Sequence, residues 1–285
     1  MLELRNVTFG YGRREAEIFR NFSLQLAPNG IYGLFGKNGT GKSTLLYLMS
    51  GLLRPQQGQV DVDGLCPQER RPELLREIFL VPEEFELPDV SLERYVSLNE
   101  GFYPHFSREV LAGCLADFEL PGTLRLGQLS MGQKKKAYMS FALAAGTRIL
   151  LMDEPTNGLD IPSKSQFRKV ISRHMAEDRI LVISTHQVRD VEMLIDHVVM
   201  LDGTRLLLNR PTADIAAALC FEERPAGMET GDALYVQPSV HGNNIVRANR
   251  GGEDTPIDLE LLFNALLQNP CLLENRDGRE RNNNN

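Results

Sequence analysis

The chain has 285 residues, of which 42% are hydrophobic and 24% are charged, and its formal net charge is −7 at pH 7. This length allows one large domain or one domain with an appendage, and the acidic balance argues against a general nucleic-acid-binding surface. Residues 1–5 lack the basic and apolar regions of a secretion signal, and no stretch approaches the roughly 20 apolar residues needed to cross a bilayer. We therefore expect a chain that does not span a membrane by itself.

The first part of the chain predicts three strands followed by a loop. Apolar and polar residues alternate well enough for strands from 2 to 9 and from 19 to 26. Pro28-Asn29-Gly30 then marks a turn, and the apolar run 31–35 predicts another strand. The glycine-rich stretch 36–44 separates this strand from an apolar helix.

This stretch reads Gly-Lys-Asn-Gly-Thr-Gly-Lys-Ser-Thr and matches the phosphate-binding pattern G-x-x-x-x-G-K-[ST] between a strand and a helix. Backbone N–H groups and the helix N-terminus favour phosphate there. Lys42 can reach the β- and γ-phosphates, and the Ser43 hydroxyl can ligate Mg²⁺. An ordinary glycine-rich turn is the alternative, which the flanking strand and helix disfavour. The predicted nucleotide-binding residues are Gly36, Asn38, Gly39, Thr40, Gly41, Lys42, Ser43 and Thr44.

Strand and helix patterns then alternate up to residue 208. The predicted strands are 59–64 with its turn, 78–81, 149–152, 180–184 and two edge strands within 197–208. The predicted helices are a helical stretch within 88–128 that includes a helix capped by Ser107, and the segments 130–144, 163–175 and 188–195. This alternation implies a largely parallel sheet covered on both faces.

The character of the sequence changes after residue 209, and we interpret 211–285 as a small C-terminal extension. It contains a stretch rich in Gly, Pro and Asn. The predicted elements are a helix at 214–220, strands at 233–237 and 244–248, a helix at 257–267 and a frayed tail at 282–285.

Two acidic residues follow the apolar strand 149–152. Ligands bind at the carboxyl ends of strands in open α/β sheets, which is where Asp153 and Glu154 are expected. Asp153 can hold Mg²⁺ directly or through water, and Glu154 is suited to activating the attacking water. Taken alone, the pair could equally be a solvated strand end.

At this point the sequence resembles the ATP-binding-cassette (ABC) ATPases over residues 1 to about 210. Leu129-Ser130-Met131-Gly132-Gln133 is similar to the family signature L-S-G-G-Q, and Gly158-Leu159-Asp160 resembles the loop that couples two subunits. Ser184-Thr185-His186 resembles the switch histidine, and Tyr11 stands where the family places an aromatic residue against adenine. The resemblance implies an α/β P-loop NTPase with a mostly parallel sheet, an antiparallel β subdomain and an inserted helical subdomain around 83–128.

The same resemblance implies ATP and Mg²⁺ as cofactors and a head-to-tail pair of cassettes, with a homodimer as the expected form. The phosphate loop of one copy and the signature of the other would clamp each ATP. Ser130, Gly132 and Gln133 belong to that signature, and Asp160 would report to the opposite subunit. Glu154 and His186 would be catalytic.

Two positions depart from the family pattern. Met131 replaces the first signature glycine, and we expect function to survive if its side chain points away from the nucleotide. The family normally has a glutamine after the strand predicted at 78–81, and Glu83 occupies the likeliest equivalent position. We therefore predict that Glu83 joins Ser43 and Asp153 near the metal. The alternative is that Glu83 caps a surface loop. For Lys134-Lys135-Lys136 we expect a solvated helix face, with a contact to the partner's nucleotide or to an anionic surface as the minor alternative.

The resemblance thus predicts an ATP-hydrolysing subunit that powers a separate transmembrane permease, located in the cytoplasm and peripheral to the membrane. The stretch 102–107 resembles cassettes of multidrug- or antibiotic-type exporters, so export is favoured over import. The alternative is a soluble ABC ATPase that does not drive transport, such as an iron–sulfur-assembly cassette. No nucleic-acid partner is expected.

Overall fold

The computed structural model describes residues 1–12, 16–176 and 178–273. The predicted tail at 282–285 lies outside these ranges. The strands are β1 Leu2–Phe9, β2 Phe19–Leu26, β3 Gly30–Gly36, β4 Gln57–Val62, β5 Ile78–Val81, β6 Ile149–Asp153, β7 Ile180–Ser184, β8 His197–Asp202, β9 Arg205–Pro211, β10 Leu219–Pro225, β11 Ala233–Ser239 and β12 Gly242–Ala248. The helices are α1 Lys42–Met49, α2 Pro72–Leu75, α3 Leu92–Asn99, α4 Arg108–Asp117, α5 Met131–Ala144, α6 Ile161–His174, α7 Thr212–Ala218 and α8 Leu259–Gln268.

The centre of the fold is a six-stranded sheet in the order β5-β6-β7-β3-β8-β9. All neighbouring pairs in it are parallel except β8 and β9. A separate antiparallel sheet has the order β2-β1-β4. The predicted α/β class with a mostly parallel sheet and an antiparallel subdomain is therefore confirmed.

The apolar core lies on both faces of the central sheet. Successive residues of β6 point to opposite faces, and its apolar run 149–152 suits a strand that is covered on both sides. Leu151 packs with the antiparallel sheet and α1, and Leu150 packs with the helices of the opposite face. In β3, Leu34 and Phe35 pack on opposite faces in the same way, so the phosphate loop follows a strand that is held from two sides.

Serine side chains cap the N-termini of α4 and α5. The Ser107 hydroxyl accepts a hydrogen bond from the Val110 N–H, and α4 ends before the Pro121-Gly122 turn, as predicted. Ser130 caps α5 in the same way. An N-cap oxygen replaces one of the hydrogen bonds that the first turn of a helix cannot make within itself.

In the described ranges, no helix has the length and the apolar character that a membrane crossing requires.

Two local predictions before residue 210 are wrong. The stretch 188–195 was expected to be helical, but it holds only the 3₁₀ turn Val188–Asp190 and further turns. The Asp196 N–H donates to the Ile31 carbonyl, and this bond takes the chain directly into the central sheet. β8 is also not an edge strand, because it lies between β3 and β9 and its middle four residues are buried.

The C-terminal extension forms a third sheet, in the order β10-β12-β11, together with α7 and α8. The helix predicted for 214–220 ends at Ala218, because the apolar residues that follow enter β10 and pair along β12. Leu219, Val246 and Leu262 belong to the same buried cluster as Phe35 and Met200 of the central sheet. The extension therefore shares the core of the cassette.

Candidate nucleotide-binding site

Four loops meet at the carboxyl edge of the central sheet, after β3, β5, β6 and β7. They surround a cavity of about 640 Å³ that the segment before β2 also reaches. In a parallel sheet, loops that follow neighbouring strands converge at one edge, which is why residues distant in sequence meet here. The predicted site residues that line this cavity are Tyr11, Asn38, Gly39, Gly41, Lys42, Ser43, Thr44, Glu83, Glu154 and His186.

The phosphate loop is held in its bent form by its own lysine. Lys42 is buried, and its Nζ donates to the carbonyl oxygens of Gly36 at 2.8 Å and Lys37 at 3.3 Å. The Thr40 hydroxyl donates to the same Lys37 carbonyl at 2.8 Å. Gly41 has a φ of +90°, and a Cβ there would lie 2.5 Å from Ile18, so this position requires glycine.

Burial and nearby carboxylates act in opposite directions on this lysine. Burial lowers the pKa of Lys42, and the negative charges of Glu154, Asp153 and Glu83 oppose that effect. The Lys42 ammonium is therefore stabilised by the negative charge of three carboxylates. A nucleotide phosphate entering the cavity would add negative charge beside the same cation.

Tyr11 covers one side of the cavity. Its hydroxyl lies 3.1 Å from the Thr44 hydroxyl, and its ring meets Phe9 edge-on at 5.2 Å. The side chain is 58% exposed, so much of its surface is available to a ligand. Aromatic faces of this kind stack readily on nucleobases.

The acidic pair after β6 divides between two environments. The Asp153 carboxylate is buried and accepts a hydrogen bond from the Ser184 hydroxyl. The Glu154 carboxylate points at the cavity, where its Oε1 accepts from the His186 N–H at 3.1 Å and lies 2.9 Å from the His186 Nδ1. Glu154 has a φ of +44°, a left-handed backbone that is costly for a residue with a side chain.

Glu83 is part of the cavity wall. Its Oε1 accepts a hydrogen bond of 2.7 Å from the Asn157 Nδ2. Glu83, two residues after the end of β5, is thus joined to the loop that follows β6. Hydroxyl and carboxylate oxygens of Ser43, Glu83 and Asp153 are the hard ligands that Mg²⁺ prefers, so the donor set fits this ion.

The described residues do not by themselves form a complete metal cage. Within the described ranges, no group of three His, Cys, Asp or Glu side chains is arranged to hold a metal ion. Mg²⁺ in nucleotide sites is ordinarily held by one or two protein groups together with phosphate oxygens and water. The arrangement is therefore compatible with an ion that arrives with a nucleotide.

The signature residues lie elsewhere. Ser130 and Gln133 form a reciprocal capping box at the start of α5, and Met131 is exposed. A Cβ built on Gly132 has its nearest described neighbour, Leu159 Cδ2, at 3.7 Å. Asp160 caps α6 by accepting from the Ser163 N–H, and hydrogen bonds at this helix start lower its pKa. Within the part of the chain that the structure describes, Ser130, Gly132, Gln133 and Asp160 do not line the cavity.

Sequence reasoning missed two residues near the site. Asn157 lines the cavity and binds Glu83; its position in a tight turn three residues after Glu154 was a signal that could have identified it. Lys135 is buried, so the predicted solvated face of Lys134-Lys135-Lys136 is wrong at its middle residue. The reason is that carbonyl oxygens of the loop after β6 face that position of α5.

Comparison with known proteins identifies the family of the chain. The family model described as "ABC transporter" matches residues 19–157. The methionine import ATP-binding protein MetN of Carboxydothermus hydrogenoformans is 31% identical over 229 residues, covering 75% of this chain and 67% of that protein. The Nod factor export ATP-binding protein I of Neorhizobium galegae is 27% identical over 217 residues, covering 74% of this chain and 62% of that protein.

Solved structures agree on the fold. The dimeric structure of the bacterial ABC transporter cassette MJ0796 matches with a TM-score of 0.64 and 23% identity, covering 74% of this chain and 98% of that one. A second structure of that cassette, with the same coverage, identity and TM-score, is a post-hydrolysis state with ADP and Pi. On the strength of the family match and the 31% identity to an import ATP-binding protein, the chain belongs to the ABC transporter family, as an ATP-binding subunit with ATPase activity.

Proposed function

We propose that this chain binds ATP with Mg²⁺ in the 640 Å³ cavity, hydrolyses it in a closed dimer of cassettes, and so powers a separate membrane-spanning permease. The observation that carries the proposal is the convergence of Lys42, Ser43, Glu83, Glu154 and His186 on one cavity. The signature residues face outward at another place on the same chain, where a second cassette could use them.

Nucleotide binding rests on the phosphate loop. Residues 38, 39 and 41–44 of the loop line the cavity, and free N–H groups at the N-terminus of α1 would stabilise phosphates bound there. Lys42 already lies there, held by the carbonyls of Gly36 and Lys37, and its ammonium supplies positive charge to the β- and γ-phosphates. Tyr11 supplies a ring surface for the adenine.

Ser43, Asp153 and Glu83 would hold Mg²⁺ through oxygen atoms. Bound together with ATP, this ion neutralises charge that develops on the phosphate oxygens. Glu83 brings a negative charge that glutamine would not, and its hydrogen bond from Asn157 keeps one oxygen occupied.

Glu154 acts as the general base for the attacking water. Its Oε1 is already oriented by the backbone N–H of His186, so the carboxylate faces the cavity in a fixed direction. The His186 ring lies beside it and contacts the γ-phosphate. The proposed base is thus held between the loop that follows β6 and the loop that follows β7.

The second half of each site comes from the partner cassette. Ser130 and the Gly132 N–H are at the N-terminus of α5, where an anion is stabilised by free N–H groups. Gln133 completes the capping box that fixes this turn, and Asp160 at the start of α6 contacts the opposite subunit. The two equivalent sites of a homodimer follow from this isologous arrangement.

We assign residues 1–210 to the cassette and the segment 83–128 to the contact with the permease, which places the chain on the cytoplasmic face of the membrane. Phe102 supports this contact, because its side chain is 69% exposed while Tyr103 and Phe106 pack against the buried Phe141. Export remains the favoured direction on the sequence of residues 102–107.

Affinity capture from detergent-extracted membranes tests the transport role. A tagged chain is expected to retain a polypeptide with several membrane-spanning helices. Recovery of a soluble scaffold protein in its place would contradict the proposal and favour an assembly ATPase. The direction of transport is tested with the captured complex in inside-out vesicles. If the partner is an exporter, ATP added outside the vesicles drives accumulation of the transported molecule inside them.

A further inference from the structure

Lys135 is a buried lysine that reaches from the signature helix to the catalytic loop. It lies on α5 and is 7% exposed. Its Nζ donates to the Asn157 carbonyl at 2.8 Å and lies within bonding distance, 3.4 Å, of the Glu154 carbonyl. Both acceptors belong to the turn that carries the proposed general base. The ammonium therefore joins two elements that are far apart in sequence.

The turn from Glu154 to Asn157, whose carbonyls Lys135 contacts, has a strained backbone. Glu154 holds a φ of +44°, and the Asn157 N–H closes the turn by donating to the Glu154 carbonyl at 3.1 Å. A left-handed backbone in a residue with a side chain persists only where the surroundings enforce it. A buried cation bound to both ends of the turn is such an enforcement.

The same turn continues to the opposite wall of the cavity. The Asn157 side chain donates to Glu83 at 2.7 Å, while its backbone carbonyl accepts from Lys135. Burial lowers the pKa of Lys135, and the carboxylates of Glu83, Glu154 and Asp153 oppose that effect. The cation thus lies among the acidic groups of the site without lining the cavity itself.

We propose that Lys135 is a positioning residue, which fixes the turn from Glu154 to Asn157 against α5 and so sets the direction of the Glu154 carboxylate. This inference rests on the proposed role of Glu154. Because Ser130 caps the N-terminus of α5, the contact also links the signature, which serves the partner's ATP, to the general base of the same chain. A shift of α5 is passed to the turn through one ammonium group.

The test compares Lys135→Met with Lys136→Met in the full chain. Lys136 is a matched control, because it also makes a side-chain hydrogen bond from α5, to Gln166 at 2.7 Å, but on α6 and away from the turn. For Lys135→Met we expect kcat to fall by about tenfold to a hundredfold, because small misplacements of a catalytic group have effects of that size. The Kd for ATP, measured with Mg²⁺ by a fluorescent analogue, should stay within about twofold, because the phosphate loop is untouched.

Lys136→Met should keep both constants. A Lys135→Met enzyme with wild-type kcat, or one whose Kd rises as much as its kcat falls, would overturn the proposal. Lys135→Gln serves if the methionine variant does not fold: it buries no charge, and its amide is one bond too short to hold both carbonyls. We expect a fivefold or larger loss of kcat there, by the same argument, and wild-type turnover would refute the role of Lys135.

The proposed function is judged separately. If the wild-type chain hydrolyses ATP and Glu154→Gln does not, the assignment of Glu154 stands whatever the Lys135 variants do. If Glu154→Gln hydrolyses ATP normally, the assignment of Glu154 as the general base is wrong, independently of the Lys135 variants.

Discussion

The Glu154 carboxylate accepts a hydrogen bond from the His186 N–H at 3.1 Å and lies 2.9 Å from the Nδ1 atom of the same residue. This pair connects the loop after β6 to the loop after β7. A further hydrogen bond joins the loop after β6 to the end of β7, where the Glu154 N–H donates to the Ser184 carbonyl at 3.0 Å. These contacts fix the direction of the Glu154 carboxylate, the proposed general base.

Glu154→Gln should bind ATP but turn it over at least about a hundredfold more slowly, because an amide has the shape of the carboxylate without its basicity. The amide oxygen can still accept from the His186 N–H, so the loop should keep its form. With ATP and Mg²⁺ the variant should elute as a dimer in size-exclusion chromatography. Wild-type hydrolysis would show that another group is the base. Lys42→Ala, which removes the phosphate-loop cation, is the control that loses ATP binding.

Much of the site was predictable because its residues are set by local sequence. The stretch 36–44 requires glycine at position 41 for its backbone, and the caps at Ser107 and Ser130 are recognisable from side chains that bind N–H groups three residues later. The acidic pair follows an apolar strand whose end defines its location. These features depend on contacts within a few residues.

What escaped prediction depends on contacts between distant elements. β10 follows a run of alanines, and only its pairing with β12 shows why Leu219 leaves the helix. The burial of Lys135 depends on carbonyls of the loop after β6. The hydrogen bond from Asn157 to Glu83 joins two loops 74 positions apart. A single sequence contains no pattern for such pairs.

Glu83→Gln tests whether this carboxylate contributes to the Mg²⁺ environment. Because a neutral amide is a weaker ligand for a hard cation, we expect the Mg²⁺ concentration for half-maximal turnover to rise by roughly three- to tenfold. Glu84→Gln is the matched control, since it removes the neighbouring charge at an exposed position that does not line the cavity. An identical Mg²⁺ titration for Glu83→Gln and the wild type would exclude Glu83 from the metal environment.

Gly132→Ala tests the contact between cassettes separately from the stability of the fold. The added Cβ has its nearest described neighbour at 3.7 Å, and alanine favours a helix over glycine, so the thermal midpoint should not fall. A methyl group between α5 and the partner's γ-phosphate should nevertheless reduce kcat by about tenfold or more, through loss of one N–H contact in the transition state. Binding of ATP to the chain's own phosphate loop should persist.

The control for that variant is Gly122→Ala, whose Cβ would enter open space in the loop after α4. It should keep wild-type turnover and ATP-dependent dimerisation in analytical ultracentrifugation. Normal turnover by Gly132→Ala would mean that the signature does not approach a partner's nucleotide closely.

Leu262→Ala tests whether the C-terminal extension is structurally part of the cassette. Leu262 of α8 is fully buried in the cluster that also contains Phe35 of the central sheet. Truncating a buried leucine costs about 2–5 kcal/mol of unfolding free energy, and because the core is shared, urea should unfold the whole chain in one transition at a lower midpoint. Leu234→Ala, on the edge strand β11 and 46% exposed, should shift the midpoint little. Two separate transitions, with only the smaller one sensitive to Leu262→Ala, would show that the extension unfolds as an independent unit.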